Sequence, residues 1–219
     1  MVGSRICKPG ENKLIIEYKG LVNYQECRDE MIALVKSCPK IHHIWVVEHP
    51  PVFTIGISEK NIEEDLSKNP PVIKTDRGGK ITFHAPGQIV IYFILNLKEV
   101  SFKPTSLTST ILNSTSDTLW SFGLEHQINL EDPGIYINNK KLASIGMRIK
   151  NHISYHGLSI NFETDLKTFN SINPCGLDVE ACNLIDYIDI DKQELLKKLL
   201  QGFKKVINAF LKILYRKWR

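Results

Sequence analysis

Three clusters in this chain hold residue types that acid–base and nucleophilic chemistry requires. The run Asp76-Arg77-Gly78-Gly79-Lys80-Ile81-Thr82-Phe83-His84-Ala85-Pro86-Gly87-Gln88 concentrates turn residues and polar groups between two strand-like stretches. Its Gly-Gly pair permits close backbone approach, Arg77 can pair with an anion, and His84 ends a strand where its imidazole can face a cleft. A hairpin with a charged rim accounts for the same residues equally well, and neither phosphate-loop glycine pattern is present. In Ile172-Asn173-Pro174-Cys175-Gly176 a cysteine sits between Pro and Gly on a tight, non-helical turn. That setting exposes a sulfur and aims neighbouring N–H groups at a reacting centre. Such a thiol, with an ordinary pKa near ~8.5, needs a base or cation beside it. Lys140-Lys141 is a candidate source: in a strand the two point to opposite faces, so one can be solvated while the other enters a cleft. Two solvated lysines fit the pattern as well. His152 and His156 are four apart, but no Cys or carboxylate lies at ligand spacing, so a metal is not expected.

These residues must be positioned by a mixture of strands and helices. Leu14–Tyr18 alternates as a strand, and Asn23 with Glu26 resembles a capping box opening a helix to about Ser37. Short β-type runs at 44–47 and 52–55 are broken by Pro50-Pro51. A short helix near 61–66, strands at 72–74, 80–84 and 89–95, and a helix over 105–122 stopped by Gly123 follow. Further strands are expected at 134–137, 141–149 and 154–161. The pattern is α+β, a mixed β-sheet core with flanking helices rather than a doubly wound sheet. From Asp191, apolar residues from Leu195 to Leu214 recur at three and four with lysines opposite, an amphipathic basic helix over about 191–215. The simplest reading docks it on the core with its basic face in water.

The chain has 219 residues, 42% of them hydrophobic and 24% charged, in the ordinary globular range. Its longest apolar run, Ile89–Leu95, is far shorter than a membrane-spanning helix, so no membrane span is expected. Five cysteines without a Cys-x-x-Cys pair argue against a disulfide framework and for a reducing, cytoplasmic setting. Cys27, Cys38 and Cys182 read as buried small hydrophobes, and Cys7 is given no role. The net charge of +4 is uneven: residues 192–219 carry nine basic side chains against Glu194 alone, leaving the body at −4. A basic tail on an acidic body invites an acidic partner, and no nucleic-acid motif is present.

Taken together, Arg77-Gly78-Gly79-x-x-Thr82-Phe83-His84-x-Pro86-Gly87-Gln88, Pro133-Gly134-Ile135-Tyr136, Lys141-Leu142-Ala143-Ser144-Ile145-Gly146, His156-Gly157-Leu158-Ser159-Ile160-Asn161 and Asn173-Pro174-Cys175-Gly176 closely resemble the octanoyltransferase, or lipoyl(octanoyl) transferase, family of lipoate biosynthesis. His49-Pro50-Pro51-Val52-Phe53-Thr54-Ile55-Gly56 matches as well, and the motifs span about residues 45–185 in order. The resemblance implies one catalytic domain over 1–219 with the fold of lipoate and biotin protein ligases. It implies a Cys/Lys acyltransferase in which Cys175 takes an octanoyl group from octanoyl-acyl carrier protein as a thioester. Lys141 matches the partner lysine, the general acid and base that favours the thiolate. The acyl group then passes to the target lysine of lipoyl domains, those of 2-oxoacid dehydrogenase acyltransferase subunits and of the glycine cleavage H protein, with no cofactor and no ATP. The family's substrate-contact segments map onto Arg77, Gly78, Gly79, Lys80, Ile81, Thr82, Phe83 and His84, onto Ser144, Ile145 and Gly146, and onto Gly157, Leu158 and Ser159. Ile81, Phe83 and Ile145 are expected along the acyl tunnel. Ala85 replaces the family's usual glycine, and its methyl is tolerable if φ is negative there. An ATP-dependent lipoate or octanoate ligase of the same fold, and a noncatalytic module binding acyl carrier or lipoyl domains, are the alternatives. The short Asp76-Arg77-Gly78-Gly79 loop counts against the first and the presence of both Cys175 and Lys141 against the second.

Overall fold

A computed structural model describes residues 14–59, 70–100, 104–170 and 179–217. The expected helix at 61–66 and the Asn173–Gly176 segment with Cys175 lie outside these residues, as does Cys7. Ten strands and five α-helices follow one another along the described chain: β1 (Leu14–Leu21), α1 (Tyr24–Lys36), β2 (His42–Glu48), β3 (Val52–Ile55), β4 (Val72–Lys74), β5 (Ile81–His84), β6 (Gln88–Ile94), α2 (Leu97–Val100), α3 (Pro104–Trp120), β7 (Gln127–Asn129), β8 (Gly134–Ile137), β9 (Lys140–Lys150), β10 (Ile153–Asn161), α4 (Leu166–Asn170) and α5 (Lys192–Lys217). The α+β reading holds. The elements it did not anticipate, α2, α4 and β7, are three to five residues long, too short for a periodic signal.

Seven strands form one sheet in the order β1-β2-β6-β10-β9-β8-β7, and three form a second in the order β4-β3-β5. β2 and β6 are antiparallel neighbours, and the small sheet is an excursion between them. Pro50-Pro51 ends β2's ladder and releases the chain into β3, because proline offers no donor to a strand partner. Ala85-Pro86-Gly87 returns it from β5 to β6, with Gly87 at φ +87°.

β6 is buried at every position because both faces of the large sheet are covered. Ile89, Ile91 and Phe93 point into a cluster with Leu107, Ile111, Leu112 and Leu119 of α3 and Leu195, Leu199 and Phe203 of α5. Val90, Tyr92 and Ile94 point the other way, towards Cys27, Met31 and Val35 of α1. The small sheet has its own cluster of Phe53, Ile55, Ile81, Phe83, Ala85 and Phe169. Helix ends follow local chemistry. The Asn23 side chain accepts from the N–H groups of Gln25 and Glu26, and Asp191 does the same for Gln193 and Glu194 at the start of α5. α3 stops in a Schellman turn, with Gly123 N–H on Trp120 and Leu124 N–H on Leu119. No helix among the described residues is long and apolar enough to cross a membrane.

Candidate active site

A chamber lies on the α1 side of the large sheet, between β9 and β10 and the loop 76–80 that leads into β5. Its floor is set by cross-strand pairs, Ser144 opposite Ser159 and Gly146 opposite Gly157. Small side chains there leave room above the sheet. At Gly146 a Cβ would come within 2.7 Å of the Gly78 carbonyl oxygen, so glycine lets the loop lie directly on the strand. Two neighbouring loop residues grip different sheets. The Asp76 carboxylate accepts hydrogen bonds from the Tyr155 hydroxyl at 2.5 Å and His156 Nε2 at 3.2 Å, both on β10. The His156 bond, ahead of the others, holds Asp76 well below the usual carboxylate range. Arg77 turns to the small sheet and donates to the Thr54 hydroxyl at 3.0 and 2.9 Å and to the Thr54 carbonyl at 2.6 Å. Its guanidinium, expected to meet an anion, thus clamps neutral oxygens while lining the chamber.

Lys141 reaches the chamber through an irregularity in the sheet. Regular alternation from Gly146 and Ser144 would bring Leu142 to the chamber and turn Lys141 away. A register shift in the β8–β9 ladder instead places Tyr136 opposite Lys141 and leaves Leu142 in the core beneath α3. The lysine's stem crosses Gly134, where a Cβ would lie 2.9 Å from Cε. Only 6% of Lys141 is exposed, and its ammonium rests 2.7 Å from Asp132 Oδ2. Lys140 is exposed and bonds Glu180. The open choice between two solvated lysines and one entering a cleft is thereby decided for Lys141.

Neutral polar groups bond one another around His84 and Tyr92 of the lining. His49 Nδ1 donates to the Val22 carbonyl at 2.7 Å, which leaves Nε2 to accept from the Tyr92 hydroxyl at 2.8 Å. His84 Nδ1 donates to Gln88 Oε1 at 2.6 Å, since the Gln88 amide donates to Phe83 O and Asn161 Oδ1. Asn161 in turn donates to the Lys141 carbonyl. Burial pushes His49 down to about 4 and His84 down to about 3, and it lifts Tyr24 to about 12. Ile81, Val90, Ile145, Leu158 and Phe169 supply apolar wall. A partly aliphatic chamber with a nearly buried ammonium at its wall, and with Arg77 and Lys80 also on its lining, suits an acyl chain joined to a polar reacting group.

Twelve of the fourteen residues expected at a substrate site line this chamber: Arg77, Gly79, Lys80, Ile81, Thr82, His84, Ser144, Ile145, Gly146, Gly157, Leu158 and Ser159. Gly78 touches β9 through its backbone, and Phe83 turns into the small-sheet core against Phe53. Phe83 therefore does not line this chamber, and Phe169, which the sequence did not single out, does. Ala85 packs beside Phe83 with φ outside the positive range, so its methyl does not narrow the chamber. Asp132, Tyr24, Tyr92 and His156 were missed as lining residues. His152 occupies the β9–β10 turn, whereas His156 is buried at φ +61°, a conformation that turns its ring to Asp76 and away from the helix side that Leu158 and Ile160 share. Of the cysteines read as buried, Cys27 and Cys182 are so, and burial pushes their thiols up to about 12 and about 11. Cys38 is a correction: it is exposed, two residues past the end of α1 at φ +50°, where the chain turns away from the core.

Residues 25–204 match the family model described as the lipoyl protein ligase A/B catalytic domain. The chain belongs to that family. It is 40% identical over 163 residues to an octanoyltransferase of Laribacter hongkongensis, covering 74% of this chain and 79% of that one. In fold it is similar to lipoate-protein ligase A bound with ATP, with a TM-score of 0.73, 16% identity and coverage of 94% and 95% of the two chains. It is also similar to biotin protein ligase from Aquifex aeolicus, with a TM-score of 0.53, 17% identity and coverage of 92% and 72%. The mixed sheet with flanking helices is thus the fold of the lipoyl and biotin ligases, and the chamber is this family member's candidate catalytic site.

Proposed function

We infer that this protein is an octanoyltransferase that moves an octanoyl group from octanoyl-acyl carrier protein, through a thioester on Cys175, to the target lysine of lipoyl domains in the cytoplasm. The observation that carries the reading is Lys141, a nearly buried ammonium at the wall of a partly aliphatic chamber, in a chain 40% identical to an octanoyltransferase. The Cys175 thiolate attacks the donor thioester carbonyl, and the carrier sulfur leaves and takes up a proton. The target amine then attacks the enzyme thioester. The C–N bond forms as the C–S bond breaks, and Lys141 accepts the proton from nitrogen and returns it to the Cys175 sulfur. Thioester exchange is nearly balanced, and aminolysis to an amide runs downhill, so no cofactor is needed. The Arg77–His84, Ser144–Gly146 and Gly157–Ser159 segments hold the acyl chain and its carbonyl, with Ser144 and Ser159 flanking the floor. The acceptors are the lipoyl domains of 2-oxoacid dehydrogenase acyltransferase subunits and the glycine cleavage H protein.

Intact mass after incubation with octanoyl-acyl carrier protein tests the reading. The wild type acquires a hydroxylamine-labile octanoyl adduct that Cys175→Ala does not, and Lys141→Ala slows capture and transfer about 10²–10⁴-fold with carrier binding retained. Acylation of a lipoyl domain from free octanoate and ATP, without carrier, would point to a ligase instead. Carrier binding without an adduct would point to a noncatalytic module.

A further inference from the structure

Asp132 stands immediately before the Pro133-Gly134 turn that opens β8, outside every cluster that the sequence singles out for chemistry. Its Oδ2 lies 2.7 Å from Lys141 Nζ. The Tyr136 hydroxyl donates to that same oxygen at 2.5 Å and to the Asp132 backbone carbonyl at 3.0 Å. The ammonium also lies 5.5 Å from the centroid of the Tyr136 ring. All three residues therefore meet at one point, and the sheet fixes it: the register shift that aims Lys141 into the chamber also sets Tyr136 across from it. Side-chain exposure is 7% for Lys141 and 18% for Asp132, so water screens this pair far less than a surface pair. Glu180, whose backbone carbonyl accepts from the Lys141 N–H, gives its carboxylate to Lys140.

We propose that Asp132 is the positioning residue of Lys141: its carboxylate, oriented by Tyr136, holds the ammonium at the chamber wall between turnovers, and acyl transfer requires Lys141 to surrender this partner. Lys141 cannot turn to a reacting group while its ammonium donates to Asp132. The same contact keeps a long, flexible side chain from sampling rotamers that leave the chamber wall. Asp132 thus fixes the placement of the lysine. This rests on the reading of Lys141 as the proton carrier. The charged and titratable groups around it among the described residues are Asp132 and Tyr136 from the β8 side, Arg77, Lys80, His84, His156, Tyr24 and Tyr92 elsewhere on the chamber lining, and Glu180 and Cys182 on the segment beside β9.

Two measurements on the full chain test it. A slowly exchanging lysine ammonium signal in ¹⁵N-resolved NMR, assigned by its absence from Lys141→Arg, is expected in the wild type, retained in Asp132→Glu and lost in Asp132→Asn. In single-turnover transfer from the octanoyl enzyme to a lipoyl domain, the rate falls about tenfold or more in Asp132→Asn and returns towards the wild type in Asp132→Glu, with carrier binding unchanged in both. Tyr136→Phe, which keeps both charges, gives a smaller loss and serves if Asp132→Asn does not fold. A wild-type transfer rate in a folded Asp132→Asn overturns the proposal, as does a retained ammonium signal. A wild type that transfers no octanoyl group overturns the underlying reading instead, whatever the NMR signal shows.

Discussion

The two faces of the large sheet solve different problems. Beneath α3 and α5 the contacts are mostly hydrocarbon, Phe93 on Phe203 and Ile91 among leucines, with ring centroids of the two phenylalanines 5.0 Å apart, and the buried hydroxyls of Thr115 and Thr118 donate to carbonyls of their own helix. On the α1 side, where the small sheet approaches, the same strands present Tyr92, His156, Ser159 and Lys141, and the Tyr92 hydroxyl, His156 Nε2 and the Lys141 ammonium each bond a named partner. The first face gains its stability mainly from buried apolar area. The second holds buried polar groups, which cost free energy unless each is bonded, and in return it gains fixed tautomers, a placed ammonium and an open chamber. One face is built to be stable and the other to be specific.

This contrast predicts different failures. Phe203→Ala, on the hydrocarbon face, should destabilise the protein by about 3–5 kcal/mol in chemical denaturation while leaving the octanoyl adduct rate of the folded fraction near that of the wild type. A matching loss of adduct rate in the folded fraction would mean that the faces are not independent. The polar face should fail with acid. His49 and His84 are held neutral by burial, down to about 4 and about 3, so the unfolded state binds their protons first. Their contribution is whole above the ordinary histidine pKa and is lost as pH falls from there towards 4. Each costs about 1–2 kcal/mol of stability by pH 5. Urea unfolding followed from pH 7.5 to 5 should show that decline, and a flat profile would remove these two histidines as its source. The smallest effect belongs to the solvated side of α5. Lys197→Gln with Lys204→Gln should change stability by no more than about 0.5 kcal/mol. If the acidic carrier docks there, the pair should weaken its binding more at low salt than at high.

How much of this was legible in the sequence follows the same division. α5, α3 and the strands of the hydrocarbon face could be placed within a few residues, because apolar spacing at two or at three and four is what burial against one layer demands. The glycines and serines of the chamber floor were readable through motif resemblance. What escaped was whatever depends on sheet register and on long-range pairing. Strict alternation cannot say which of Lys141 and Leu142 enters the chamber, since the answer lies in a bulge. Phe83 looked like wall because it neighbours Thr82 and His84, but strand pairing with Phe53 turns it inward. Asp132 carried no signal beyond its place before Pro133, and its meaning appears only when β8 and β9 pair.

Asp76 and Arg77 carry a mechanical consequence. One residue is pinned to β10 and the next to β3, so a single peptide unit rivets the two sheets together at the rim of the chamber. Any breathing motion that widens the opening must stretch across that rivet and loosen either the carboxylate's grip or the guanidinium's. The aperture therefore has a stop built from two adjacent, oppositely charged side chains, and the gap between the sheets is gauged by the length of one amino-acid step.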